Sequence, residues 1–171
     1  MFFHKVKFIM HTTHNTLPET IRSQSIDLLN KHLAASIDLH AQVKQAHWNV
    51  RGPGFIGIHE LFDKVAEEVA GYSDQIAERV GGLGGTAQGT LKGVVERSFL
   101  VPYAHGIANS PEHIFAVAGS LAAFGQSARE AIELADKIGD ADTSDLFTEI
   151  SRGVDLQLWL VESNTPVPTT R

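Results

Sequence analysis

A chain of 171 residues without cysteine, of which 43 % are apolar and 20 % charged, is long enough for one buried domain and excludes disulfides and thiolate metal sites. Its formal net charge of -6 argues against a body that binds nucleic acid through overall positive charge. No apolar run approaches the roughly 18 residues of a membrane span. The opening MFFHKVKFIM is broken by His4, Lys5 and Lys7, and no cleavage site follows. We therefore expect a cytoplasmic protein with no membrane partner.

Apolar residues recur at steps of three and four in four separate segments, which predicts four amphipathic helices. Proline, serine and glycine residues mark where the segments begin or end. The first predicted segment begins after Pro18 and ends at His47. The others run from about Ile58 to the glycines at 81–85, from Ser110 to Gly139, and from about Thr143 to Asn164. At the start of the third helix, Ser110 is the expected N-cap and Pro111 the first helical residue.

Long helices with short connections predict an all-α four-helix bundle. The connection between the second and third helices, residues 84–109, is too long for a tight turn and must cross the bundle. Its VPYAHGIAN segment (101–109) is the expected place of a short extra helix. We assign residues 1–20 to a flexible N-terminal arm, 21–165 to the bundle and 166–171 to a C-terminal tail.

A line of mostly polar residues runs beside the apolar stripe of the second helix. Its members, at steps of three and four, are His59, Asp63, Glu67, Ala70, Asp74 and Glu78. Polar helix faces are usually solvated, but small residues such as Ala66 and Ser73 flank this one and suit close approach of another helix. The histidine end and the acidic end of the line are about 16–22 Å apart along the helix. One chain therefore cannot bring both ends to one metal ion.

Two antiparallel copies of the second helix remove this difficulty. Two pairs of its residues share one midpoint, between residues 68 and 69: His59 with Glu78, and Asp63 with Asp74. A two-fold axis at that midpoint brings the members of each pair together across a homodimer interface, once on each side of the axis. The spacing thus predicts two equivalent sites, each shared between two subunits.

His47 adds a ligand to each predicted site. The turn at Gly52, Pro53 and Gly54 folds the end of the first helix back beside the start of the second, near His59. Each site then has two imidazoles and three carboxylates, which would repel one another without a cation. Nitrogen and oxygen ligands of this kind suit iron, manganese or zinc.

At these residues the sequence resembles the Dps family, the mini-ferritins named as DNA-binding proteins from starved cells. The resemblance covers roughly residues 22–164 and is most specific in KQAHWNVRGPGFIGIHELFD (44–63) and DQIAERVGGLGG (74–85). It implies a ferritin-like bundle with a ferroxidase centre. The implied iron ligands are His47, His59 and Asp63 from one subunit, and Asp74 and Glu78 from its two-fold partner.

The resemblance also implies a function. Family members form hollow shells of twelve subunits that bind ferrous iron, oxidise it preferentially with hydrogen peroxide and store the ferric oxide inside. We therefore expect a homo-oligomer that protects against oxidative stress, with at most two iron ions at each site and zinc as a substitute metal. Trp48, beside His47, is either an electron donor or an interface packing residue.

Three acidic residues at the turn into the fourth helix have two interpretations. Asp140, Asp145 and Glu149 are either acids that the positive end of the helix dipole favours, or part of a negative ring that attracts cations. By resemblance, this region lines the three-fold pores through which iron enters the shell.

Three other classes of protein share parts of this pattern. A di-iron bundle or full-size ferritin places Glu-x-x-His motifs within one chain, and none occurs in this sequence. The HELFD segment (59–63) nearly matches the H-E-x-x-H motif of zinc hydrolases, but Asp63 replaces the second histidine and no third ligand is evident nearby. A non-enzymatic protein that compacts and shields DNA remains open, because that activity coexists with ferroxidation.

Residues 1–17 are the candidate DNA-binding arm. They hold two lysines and the histidines His4, His11 and His14, which form either a disordered tail or an extra metal site. So few cations make few phosphate contacts, so binding should be weak and salt-sensitive. Because histidine titrates near pH 6.5, we expect negligible binding at about pH 7.5 and low-salt binding near pH 6. A gel-shift titration checks this, with deletion of residues 1–17 expected to abolish the shift.

Overall fold

The computed structural model describes residues 10–165, which form five helices. The helices are α1 (Glu19–Asn49), α2 (Phe55–Gly82), α3 (Leu91–Arg97), α4 (Ser110–Ile138) and α5 (Ala141–Glu162). Over this range the structure has no strand, and a single bridge pairs Arg51 with Asn109. The predicted all-α fold with four long helices is confirmed.

The four long helices enclose one hydrophobic core. α1 packs along α2 and α4 along α5, and further contacts join α1 to α4 and α2 to α5. Leu39, Phe62, Phe124 and Phe147, one from each long helix, are fully buried in the same cluster. The apolar stripes read from the sequence therefore meet in one core, as the hydrophobic effect requires for amphipathic helices.

The short extra helix is present, but it does not lie in the expected segment. The sequence favoured residues 101–109, whereas α3 occupies Leu91–Arg97. The side chain of Thr90 caps its N-terminus by accepting a hydrogen bond from the backbone N–H of Gly93. The segment 101–109 instead contains Gly106 with a φ of 92°, which a right-handed helix does not accommodate.

The N-cap of α4 also differs from the prediction. Asn109, not Ser110, is the cap, and its side-chain oxygen accepts from the Glu112 N–H at 3.0 Å. Ser110 is the first helical residue and is buried. Its hydroxyl donates to the backbone carbonyl of Arg51 at 2.9 Å, so the side chain serves a long-range contact instead of capping its own helix.

Residues 10–18 lie against the bundle, although they fall within the predicted flexible arm. The His11 N–H donates to the carbonyl of Gly84 at 2.7 Å. Arg22 donates to the carbonyls of Leu17 and Leu83, and Met10 packs against the core. The arm predicted for residues 1–20 is therefore docked from residue 10 onward, while residues 1–9 and the predicted tail 166–171 lie outside the described range.

Small residues beside the polar line of α2 lie where another helix approaches, as the sequence indicates, and that helix is α1 of the same chain. Ala66 is fully buried, and the Ser73 hydroxyl donates to that of Ser36 in α1 at 2.9 Å. These residues therefore do not by themselves indicate a partner subunit. No helix in residues 10–165 combines the length and the hydropathy needed to cross a membrane.

Candidate metal centre

The candidate centre is built from the end of α1 and the start of α2. The turn between them contains Gly52 and Gly54, with φ angles of 112° and 76° that glycine adopts without strain. This turn brings the imidazole rings of His47 and His59 into a stack, with ring centres 3.7 Å apart and planes inclined by 20°. The structure therefore brings these two predicted ligands together.

Each of these histidines is held by the backbone of the other. Nδ1 of His47 lies 2.8 Å from the carbonyl oxygen of His59, and Nδ1 of His59 lies 2.9 Å from the carbonyl oxygen of His47. Because a carbonyl only accepts, Nδ1 carries the proton in each neutral ring and donates it. This fixes the tautomer that leaves the Nε2 lone pair free, which is the arrangement of metal-binding histidines.

Asp63 lies one helical turn after His59 and is engaged by a lysine. Its Oδ1 atom is 2.6 Å from Lys44 Nζ and 4.0 Å from His47 Nε2. The hydrogen bond from Lys44 holds the pKa of Asp63 below its ordinary value. Any cation that binds Asp63 must therefore compete with the Lys44 ammonium. Sequence reasoning missed this lysine, although its place one turn before the end of α1 was a signal.

Trp48 lies on the surface beside the centre. Its side chain is exposed, with 67 % of its area accessible, and the Lys44 ammonium lies 5.8 Å from the centre of its ring. This is a cation–π distance. The two alternative roles of Trp48, interface packing and electron donation, stay predictions.

Asp74 and Glu78 are both exposed and lie further along α2 from the two histidines. Within residues 10–165, no three His, Cys, Asp or Glu side chains of one chain converge closely enough to hold a metal ion. The structure therefore places the five predicted ligands in two groups: a histidine end with Asp63, and an acidic end. A single subunit does not bring the two groups together.

Arg79, next to Glu78, ties the acidic end of α2 to the start of α5. Its Nη2 atom lies 2.7 Å from Oδ1 of Asp140, and its Nε donates to the Thr143 hydroxyl at 3.1 Å. The Asp140 side chain is only 1 % exposed, so this is a nearly buried ion pair. Sequence reasoning missed the pairing because 61 residues separate the partners.

The three predicted pore acids do not share one environment. Asp140 is the N-cap of α5, accepting from the Thr143 N–H at 3.1 Å. Burial alone would raise its pKa, but the hydroxyls of Ser25 and Thr143 and the Arg79 guanidinium outweigh this and hold the pKa below its usual value. Asp140 thus follows the helix-terminus interpretation. Asp145 is exposed on α5, and its neighbour one turn on, Glu149, is also exposed.

Comparison with known proteins gives the class and then the family. A family model described as a ferritin-like domain matches residues 26–164, so the bundle is that of a ferritin-like protein. The DNA protection during starvation protein of Agrobacterium fabrum is 41 % identical over 154 residues, covering 90 % of this chain and 95 % of that protein. The chain belongs to the Dps family. The resemblance seen in the sequence is thereby confirmed.

Solved structures agree with this assignment. Mycobacterium smegmatis Dps in a tetragonal form superposes with a TM-score of 0.88 and 29 % identity, covering 95 % of this chain and 98 % of that one. DpsA14 from Streptomyces coelicolor superposes with a TM-score of 0.87 and 31 % identity, covering 96 % of this chain and 97 % of that one. Dps from Microbacterium arborescens in the high iron form superposes with a TM-score of 0.80 and 31 % identity, covering 86 % of this chain and 95 % of that one. The predicted ferritin-like fold is confirmed.

Proposed function

We propose that this protein is a ferroxidase and iron-storage protein that protects against oxidative stress in the cytoplasm. Ferrous iron is its substrate, hydrogen peroxide its preferred oxidant, and a hollow shell of twelve subunits its store. The observation that carries the proposal is the reciprocal pairing of His47 and His59, which leaves both Nε2 lone pairs free, that of His47 lying 4.0 Å from Asp63 Oδ1. The high iron form of a relative from Microbacterium arborescens supports iron as the cargo.

The acidic half of each site comes from the partner subunit in this proposal. The polar line of α2 is exposed at Asp63, Glu67, Ala70 and Asp74, so it is free to meet a second copy. Antiparallel pairing about the midpoint of residues 68 and 69 sets Glu67 opposite Ala70 of the partner subunit. A long side chain then meets a small one on each side of the axis, which suits close helix packing.

The ligand set fits ferrous iron, and zinc binds as a competitor. Two imidazoles and three carboxylates are intermediate and hard ligands, which iron accepts, and zinc also accepts both kinds. Bound at such a site, two ferrous ions would supply two electrons that, with two protons from solvent, reduce one hydrogen peroxide to two waters and leave two ferric ions, so no hydroxyl radical would be released. Lys44 neutralises Asp63 until a metal takes its place. Trp48, which follows the proposed ligand His47 in the sequence, would supply an electron when only one iron is bound.

A zinc hydrolase based on the HELFD segment is not favoured. Such an enzyme needs three protein ligands around one zinc ion within a single chain. No such convergence exists in the described part of this chain. Asp63 lies near the histidine pair, with Oδ1 4.0 Å from His47 Nε2, whereas the predicted ligands Asp74 and Glu78 lie further along α2.

The test of the proposed function is stopped-flow absorbance of the assembled, iron-free protein mixed with ferrous iron. We expect faster formation of ferric product with hydrogen peroxide than with oxygen, and loss of most of this rate in His59→Ala, because that variant removes one of two imidazole ligands. Equal or faster oxidation with oxygen would reverse the oxidant assignment. Sedimentation that finds only dimers would remove the storage function.

DNA binding is a second candidate function, favoured by the name DNA protection during starvation protein that relatives carry. Residues 10–18 contain no lysine or arginine and are docked on the bundle. Lys5 and Lys7 lie outside the described residues. In the gel-shift titration, a deletion of residues 1–9 is therefore the sharper comparison, because it leaves the docked contacts of Met10 and His11 in place.

A further inference from the structure

The start of α4 and the residues just before it form hydrogen bonds with the turn that joins the two histidine-bearing helices. The Arg51 N–H donates to the carbonyl of Ala108 at 3.1 Å, and the Arg51 carbonyl accepts from the Ser110 hydroxyl at 2.9 Å. Val50, the first residue of the turn, is buried. Both backbone polar groups of Arg51, its N–H and its carbonyl, are therefore held by a segment almost 60 residues further along the chain.

A second contact reaches the same region from α4. His113 is 1 % exposed, and its Nδ1 atom lies 2.6 Å from the Tyr103 hydroxyl. Burial raises the pKa of Tyr103 to about 12, so the phenol keeps its proton and donates it to Nδ1. The proton of the neutral His113 ring is then on Nε2, a buried atom that has no hydrogen-bond partner among the described residues and lies near the backbone of Asn49, the last residue of α1, and of Ile107.

These contacts matter to the candidate centre because of how its imidazoles are oriented. Each ring of the pair is held by the carbonyl of the other residue, and those carbonyls lie on two different helices. A small shift of the end of α1 against the start of α2 therefore breaks both contacts at once. The turn at 50–54 is the covalent link between these ends, so whatever holds the turn also holds the ring orientation.

We infer that Ser110, supported by Tyr103 and His113, is a positioning residue for the His47–His59 pair. Its hydroxyl does not touch the metal, and acts by fixing the Arg51 peptide. The inference rests on the proposed function, since it assumes that the histidine pair binds metal. It adds α4 and the long connection, which supply no ligand, to the parts of the chain that set metal affinity.

The test measures metal affinity without turnover, using zinc competition with a chromogenic chelator on the assembled, iron-free protein. The zinc binding that is present in the wild type and lost in His59→Ala is assigned to the candidate centre. Ser110→Ala should weaken that binding about three- to tenfold, since it removes one hydrogen bond behind the ligands. Tyr103→Phe should act in the same direction. Ser110→Thr keeps a hydroxyl and should restore the affinity.

Ser120→Ala is the matched control. Ser120 also lies in α4 and also donates one hydrogen bond to α1, at 2.7 Å to Oε1 of Gln42, but far from the turn. The zinc affinity of Ser120→Ala should stay within about twofold of that of the wild type. The visible absorption of bound cobalt(II) should change in Ser110→Ala and not in Ser120→Ala, which separates altered ligand geometry from a general loss of stability.

The possible outcomes separate this inference from the proposed function. The positioning role of Ser110 would be overturned if Ser110→Ala had the same zinc affinity and the same cobalt spectrum as Ser120→Ala. Wild-type affinity in Tyr103→Phe would remove the supporting role of Tyr103 and His113. A wild-type protein that binds neither metal at the site defined by His59 would overturn the proposed function, and the inference with it.

Discussion

Mixing His59→Ala subunits with Glu78→Ala subunits should restore ferroxidase activity that neither variant has alone. In the shared-site proposal, one site needs His59 from one subunit and Glu78 from its partner. Random pairing of equal amounts leaves about one quarter of the sites with both ligands. We therefore expect about one quarter of the wild-type rate after the two variants are unfolded and refolded together, measured by stopped-flow absorbance with hydrogen peroxide.

The matched control mixes His59→Ala with Asp63→Ala. These ligands lie one turn apart on the same helix of the same subunit, so no pairing of the two variants gives an intact site. Native mass spectrometry establishes that mixed assemblies have formed. If the mixture of His59→Ala with Glu78→Ala recovers no more activity than this control, the sites are not shared across the two-fold axis.

Replacing Asp140 by alanine should destabilise the fold, whereas replacing Asp145 or Glu149, the other two predicted pore acids, should not. The change removes the N-cap of α5 and the nearly buried carboxylate that pairs with Arg79, whose guanidinium keeps the Thr143 hydroxyl and the exposed carboxylate of Asp142, 3.5 Å away. Losing an N-cap costs about 0.5–2 kcal/mol, and the lost ion pair adds to this cost. A lower midpoint of thermal unfolding at neutral pH measures the effect.

The dependence of stability on pH gives a second measurement of the role of Asp140. The pKa of Asp140 is held below its usual value in the folded state, so the ionised carboxylate stabilises the protein above about pH 4. This contribution is lost as the pH falls below that value and the carboxylate is protonated. The wild type should therefore lose stability on acidification more steeply than Asp140→Ala, and parallel acid curves would contradict the assignment.

The control for Asp140 is the double variant Asp145→Asn with Glu149→Gln. Both side chains are exposed, so we expect a change in unfolding free energy below about 0.5 kcal/mol. If these acids line a pore, iron uptake at low ionic strength should slow severalfold with the ferroxidase centre unchanged, because the local attraction for cations falls. Unchanged initial uptake would return both residues to ordinary helix-surface acids.

The fold followed from the sequence because its determinants are local. The 3.6-residue period of apolar side chains is set by helix geometry, so the four long helices were predictable without knowledge of the tertiary structure. The two glycines of the 50–54 turn and the one-turn spacing of His59 and Asp63 are also local. These features sufficed to predict that His47 and His59 lie together.

The missed features all depend on contacts between distant parts of the chain. Ser110 is a good N-cap by residue type, but its hydroxyl bonds to Arg51, and Asn109 takes the cap. The small residues beside the polar line of α2 indicated the approach of another helix, but not that this helix is α1 of the same chain. Lys44 and Arg79 each engage a carboxylate that the sequence had assigned to another role. No local pattern shows which of two suitable partners a side chain will find.

The docking of Met10 against the core has a consequence for the durability of the protein. Thiols and thioethers are the side-chain groups that peroxide oxidises most readily. This chain has no cysteine and two methionines, and the Met10 thioether is partly shielded by the bundle. If peroxide is the oxidant, as proposed, the described residues offer it little sulfur, so many rounds of turnover should leave the thioether of Met10 largely unoxidised.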